Sequence, residues 1–103
     1  MSVIYVTQEQ RGKNISPALK YGDKIVSCLP QDHQLYSSRP ETGDMIRKAL
    51  HHIAPEDYVL LIGDPIIIGM TMAIASEFLN GTVEVLKWDA QTRTYVPVTV
   101  EIW

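Results

Sequence analysis

The sequence predicts an α/β fold: a small Rossmann-like or flavodoxin-like three-layer sandwich, with a mainly parallel sheet and a C-terminal antiparallel hairpin. Three observations predict it. Segments rich in β-branched residues alternate with helix signals, a pattern that calls for parallel strands joined by right-handed crossovers. Val3-Ile4-Tyr5-Val6 and Tyr58-Val-Leu-Leu-Ile62 are unbroken apolar runs, as strands covered on both faces require. Thr94–Trp103 instead alternates strictly, which marks a strand with one wet face.

Each element has a local reason. Val3–Val6 opens the sheet. Ser16-Pro17, followed by Ala-Leu-Lys-Tyr and Gly22, supplies a cap, a proline at the first helical position and a glycine exit, so a very short helix is expected. Ile25–Leu29 reads as a second strand closed by Pro30, and residues 31–39 as a polar loop. Ser38-x-x-Glu41 has capping-box spacing, and Ile46, Ala49, Leu50 and Ile53 then fall on one apolar stripe. Arg47, Lys48 and His51 point away from that stripe, and Pro55 ends the helix. Asp57–Gly63 is the strongest strand. Asp64-Pro65 caps the next helix and Asn80-Gly81 stops it, giving an apolar segment of about 22 Å at ~1.5 Å per residue. Thr82–Trp88 and Thr94–Trp103 flank Asp89–Arg93, a turn of hairpin length. In the last strand Val96, Val98, Val100 and Ile102 share one face and Pro97, Thr99, Glu101 and Trp103 the other; Pro97 cannot donate to a ladder, so the strand belongs at an edge.

Composition bounds the function. At 103 residues the chain builds one core and reads as one domain, residues 1–103. Its 46% hydrophobic and 20% charged content, with a mean hydropathy of −0.02, excludes a disordered or fibrous chain. The longest apolar run, Pro65–Ala75, is interrupted by Gly69 and Thr71 and is too short to cross a bilayer. Glu9, Arg11, Lys13 and Lys20 break any signal-peptide core, so a cytoplasmic protein without membrane contact is expected. Cys28 stands alone, which excludes an internal disulfide and a cysteine-based zinc site, and it reads as a small core residue. The net charge of −3 provides no basic nucleic-acid footprint. Charge is uneven, however: residues 1–24 hold four basic residues against two acidic ones, and the remainder five against ten.

In open parallel sheets, ligands bind beyond the carboxyl ends of the strands. Two loops should leave that edge. Thr7, Gln8, Glu9, Arg11 and Lys13 follow the first strand, and Asp64 opens the apolar helix; Arg11 and Lys13 suit an anion, while Glu9 and Asp64 suit a shared proton or metal. The structural alternative is that Asp64 only caps and the loop only connects. No Gly-x-Gly-x-x-Gly or Gly-Lys-Ser/Thr phosphate loop is present, and no cofactor is implied. His51 and His52, adjacent on a helix, should diverge by about 100° and so form no metal-ligand pair. Lys87, Trp88, Arg93 and Tyr95 mix cations and aromatic rings around the hairpin; cross-strand packing explains the rings as well as nucleic-acid stacking does, and on an acidic chain nucleic acid is not the expected partner.

The apolar helix is the most unusual segment. A helix apolar all round has to be covered all round. Ile67, Met70, Ile74 and Phe78 are therefore candidates for a self-association face or a docking face for another protein. Alternatively the helix is the buried layer, covered by the Tyr21 region and the 30–39 loop.

Ile-Tyr-Val-Thr-Gln-Glu (4–9), Tyr58–Pro65 (YVLLIGDP), Leu-Lys-Trp-Asp (86–89) and Tyr95-Val-Pro97 together resemble small uncharacterised proteins encoded by tailed bacteriophages. The resemblance runs along most of the chain and implies a phage protein made in the bacterial cytoplasm; it implies no activity, catalytic residue or cofactor. Two readings follow. One is a non-enzymatic, homodimeric accessory protein that contacts a host or phage protein. The other is a binding domain for a small ligand or nucleotide phosphate, or an enzyme acting on one, with its site at the carboxyl edge of the sheet.

Overall fold

The computed structural model describes residues 2–37 and 39–103. Five strands, β1 (Val3–Gln8), β2 (Lys24–Leu29), β3 (Tyr58–Leu60), β4 (Thr82–Asp89) and β5 (Thr94–Glu101), form one sheet in the order β2-β1-β3-β4-β5. The first four run parallel, and β5 returns antiparallel to β4 as a hairpin. Helices α1 (Glu41–Ala49) and α2 (Pro65–Phe78) connect β2 to β3 and β3 to β4, and a 3₁₀ helix over Ser16–Lys20 connects β1 to β2.

Handedness explains where the helices sit. The step from β1 to β2 and the return from β2 to β3 run in opposite directions across the sheet, so right-handed crossovers place their connections on opposite faces. One core accordingly packs Ile46 of α1, Leu50 at its C-terminal cap, and Ile67, Ile74 and Ala75 of α2 against Tyr5, Val59, Val83 and Val85. The other packs Ala18 of the 3₁₀ helix against Ile4, Val6, Leu60, Leu86 and Tyr95. In register, Val26, Tyr5, Val59, Val85 and Val98 form one row on the helix side, and Ser27, Val6, Leu60, Leu86 and Pro97 the neighbouring row on the other.

Several local expectations are corrected. β3 is three residues long rather than seven, because Leu61 leaves the ladder ahead of the turn at Gly63. The short helix is 3₁₀, and Ser16 does not cap it: Asn14 Oδ1 accepts from the Ser16 amide at 3.0 Å. Ser38 of the expected capping box lies outside the described residues, and the Glu41 carboxylate accepts from Arg39 Nε at 2.9 Å. α1 ends at Ala49, so His51 and His52 follow it in a turn. Released from helical geometry, their rings meet edge-on with centroids 4.7 Å apart instead of diverging.

The stop at Asn80-Gly81 is as expected. Asn80 takes a left-handed φ of 56° and the Gly81 amide reaches back to Ser76 O at 2.8 Å, closing the last turn of α2. At the sheet margin the Ile102 amide donates to Gly81 O, on the β4 side. Antiparallel alternation then turns the odd-numbered positions of β5 outward, so Pro97 presents its missing donor to the open edge and blunts it against a further strand.

Candidate functional site

Strand order reverses between β1 and β3, and the carboxyl ends of that pair are where an open α/β sheet places a ligand crevice. Here the chain fills the crevice with its own side chains. Thr7 Oγ1 donates to Ile62 O and accepts from the Ile62 amide. Gln8 Nε2 lies 3.1, 3.3 and 2.8 Å from the carbonyls of Pro30, Gln31 and His33, while its Oε1 accepts from the Asp64 amide at 2.8 Å. Gly63, at φ 101°, lets this happen: a Cβ there would stand 2.5 Å from Gln8 Oε1. Both side chains are buried, so Thr7 and Gln8 tie the end of β1 to the loops after β2 and β3.

Asp64 is also occupied structurally. Its Oδ1 accepts from the Ile66 amide at 2.9 Å, the N-cap bond of α2. Glu9 is held by its backbone to Leu29 O and Arg11 by its backbone to Gln31 Oε1; both side chains are exposed. Among the described residues no three His, Cys, Asp or Glu side chains cluster as a metal site. Cys28 is buried, and burial pushes its thiol up to about 12, which keeps it protonated and unreactive. His33, also buried, sets Nε2 2.8 Å from Thr42 Oγ1 at the start of α1.

One open volume near this edge lies one strand further on, on the face that the 3₁₀ helix covers. A cavity of about 510 Å³ is lined by Gly12, Lys13, Asn14 and Pro17 on one side, Leu60 to Ile62 beneath, and Trp88, Arg93 and Tyr95 on the other. Its apolar floor follows from the sheet: Leu60 and Ile62 belong to the core on the 3₁₀-helix side. Its aromatic wall follows from the hairpin register, in which Trp88 pairs with Tyr95 and the rings meet edge-on at 5.1 Å. Tyr95 is buried and Trp88 is 46% exposed. Tyr21 Oη donates to Tyr95 O at 2.9 Å and fastens the 3₁₀ segment to β5.

The charged wall is built less comfortably. Arg93 sits at φ 55°, a left-handed conformation that costs a branched or long residue about 1–2 kcal/mol relative to glycine. The turn before it is held by Asp89, whose carboxylate accepts from the Gln91 amide at 3.0 Å and the Thr92 hydroxyl at 2.9 Å. Those bonds, the Thr92 one first, hold Asp89 below its ordinary pKa. Ion pairs among the described residues are Arg39–Glu41 and Arg47–Glu77, so neither Lys13 nor Arg93 is neutralised by a carboxylate. The cavity therefore offers two cations beside an aromatic and aliphatic surface, with no acidic residue in its lining.

The family model of the Phage Pam3 gp32-like protein matches residues 2–102. The chain belongs to this family. It is thus a small phage-encoded protein, as the resemblance of its strand and hairpin segments implies. No curated protein and no solved structure matches it significantly.

Of the six residues expected at the carboxyl edge, Thr7, Gln8 and Asp64 come together around residues 62–64 in structural hydrogen bonds, Lys13 lines the cavity, and the Glu9 and Arg11 side chains are exposed. The hairpin cluster splits as well. Trp88, Arg93 and Tyr95 join Lys13, whereas Lys87 follows Val83 and Val85 in parity onto the helix side, beside Val96 and Val98. The candidate contact face of α2 divides too. Ile67 and Ile74 are buried against the sheet, Met70 is half-buried against α1, where its Cε lies 4.0 Å from the Cβ position of Gly43, and Phe78 is exposed. Tyr21 covers none of α2; it packs on the opposite side of the sheet against Tyr58. No helix among the described residues is long and apolar enough to cross a membrane.

Proposed function

We propose that this phage protein is a non-enzymatic binding module whose working site is the carboxyl-edge cavity, and that its ligand is a small anion-bearing molecule. The observation that carries this reading is the pair Lys13 and Arg93, two cations from distant parts of the chain facing one cavity that has no acidic lining residue. The strand order 2-1-3-4-5 is that of flavodoxin-like sheets, but their β1/β3 ligand crevice is filled here by Thr7 and Gln8, so the analogy supports only a site at the carboxyl edge, one strand further on. The volume lies within the ordinary range of small-molecule sites, about 300–1,000 Å³. Binding rather than catalysis is proposed because the lining offers cations, an amide and rings, but no carboxylate, imidazole, thiol or hydroxyl beyond the Tyr95 phenol, whose pKa burial raises. As a phage protein made in the infected cell, it would act in that cell's cytoplasm.

A thermal-shift screen of phosphate esters, polyphosphates and carboxylates tests it. A ligand at a hundred times its Kd should add about 2.7 kcal/mol of stability. That gain should vanish in a Lys13→Ala/Arg93→Gly double variant. If no anion stabilises the protein, the reading fails.

A second reading, protein contact including self-association, has one specific observation behind it. Tyr36 is 91% and Ile66 54% exposed beside a groove shared with Leu35, Pro40, Gly43 and Met70. Light scattering after size exclusion tests it: a dimer that Ile66→Glu dissociates supports it, and a monomer at every concentration removes the self-association part.

A further inference from the structure

Resting on that reading of the cavity, we infer that its ligand is a flat aromatic ring carrying a negatively charged group, represented by a free nucleoside monophosphate, with the ring against Trp88 and the anion between Lys13 and Arg93. The cavity is chemically two-sided. One part is hydrocarbon and aromatic, from Leu60, Ile62, Trp88 and Tyr95; the other is cationic. A bare anion such as phosphate would leave the first part wet, and a bare ring would leave both cations unused. Only a ligand with both halves satisfies the lining.

Trp88 is suited to the ring. Its cross-strand partner Tyr95, itself buried, fixes the indole edge-on at 5.1 Å, while nearly half of the Trp88 surface stays open. Stacking a base on an indole so placed corresponds to roughly tenfold to a hundredfold in affinity. Arg93 is suited to the anion because it keeps a long cationic side chain at a backbone position where glycine would be relaxed. The gain from that strain is a planar fork for a phosphate or carboxylate. A free nucleotide fits better than a polymer: the site presents two cations on a chain whose net charge is −3, too few to hold a phosphate backbone.

The test uses the full chain carrying Trp103→Phe, so that indole emission comes from Trp88 alone. It is titrated with the four common nucleoside monophosphates, the corresponding nucleosides, inorganic phosphate and a single-stranded DNA octamer. At least one monophosphate should bind tenfold or more tightly than its nucleoside and than phosphate. Arg93→Gly and Lys13→Ala should each bring it down to the nucleoside level without weakening the nucleoside. Trp88→Leu, followed by calorimetry, should bring it down to the phosphate level. Equal binding of phosphate and monophosphate would overturn the ring assignment and leave the anion site standing. Tighter binding of the octamer, with steep salt dependence, would overturn the free-nucleotide assignment. Silence from every probe overturns the inference, and if the anion screen is silent too, the site reading falls with it.

Discussion

On one face of the sheet α1 and α2 close over Tyr5, Val59, Val83 and Val85 with Ile46, Leu50, Ile67 and Ile74, while on the other a five-residue 3₁₀ helix contributes Ala18 and leaves the carboxyl half of β3 and β4 beneath an open cavity. The two faces inherit the same alternating strands, so the strands do not cause the difference. The connections do. Residues 9–23 are broken by Gly12 and Pro17 and form only the five-residue 3₁₀ helix, and the space beside it is lined by Lys13, Arg93 and Trp88. Where the layer is complete, apolar residues serve stability; where it is thin, the same sheet has side chains free for a ligand.

The contrast makes opposite demands on substitutions. The largest effect is expected at Ile67→Ala, which empties a fully buried site under α2 and should cost about 2–5 kcal/mol in chemical denaturation. A loss below about 1 kcal/mol would mean that α2 is not the closed layer. Gln8→Ala comes next. It strips the Asp64 amide and three carbonyls of their shared partner and should cost about 3 kcal/mol, with faster amide exchange at Asp64. On the thin side Arg93→Gly should do the reverse, raising stability by up to about 1 kcal/mol as the left-handed strain is relieved, while anion binding is lost. Destabilisation there would show that Arg93 is structural.

The smallest effect concerns pH. Asp89 titrates below its ordinary 3.8 in the folded chain, so its turn bonds contribute in full above that value and fade as pH falls through the lower folded value. Gln91 and Thr92 amide shifts should therefore move with a midpoint below pH 3.8, and Asp89→Asn should abolish that movement. Movement near neutral pH would assign the turn to another group.

The sequence discloses the large elements because they rest on local chemistry. Asp64-Pro65 and Asn80-Gly81 bracket α2 as read, and Pro97 marks an edge strand through its missing donor. The apolar helix is read only in part: α2 buries Ile67 and Ile74 as a covered layer, yet it meets solvent through Ile66 and Phe78 as well as through Gly69 and Ala73. The candidate site was half readable. The positive excess before residue 24 and the cation–aromatic mixture of the hairpin are both visible, but their convergence depends on which face each crossover takes. Thr7 and Gln8 look like ligand groups because polar residues ending a central strand often are. Only the three carbonyls gathered around Gln8, and the room Gly63 leaves, show them to be ties.

The central claim, that the thin side is the working side, is tested most directly by amide chemical-shift mapping of the labelled protein titrated with nucleoside monophosphates. Shifts centred on residues 12–14, 60–62, Trp88, Arg93 and Tyr95, with α2 unmoved, are the result expected. Shifts centred on Ile66, Met70 and Phe78, or none anywhere, would contradict it.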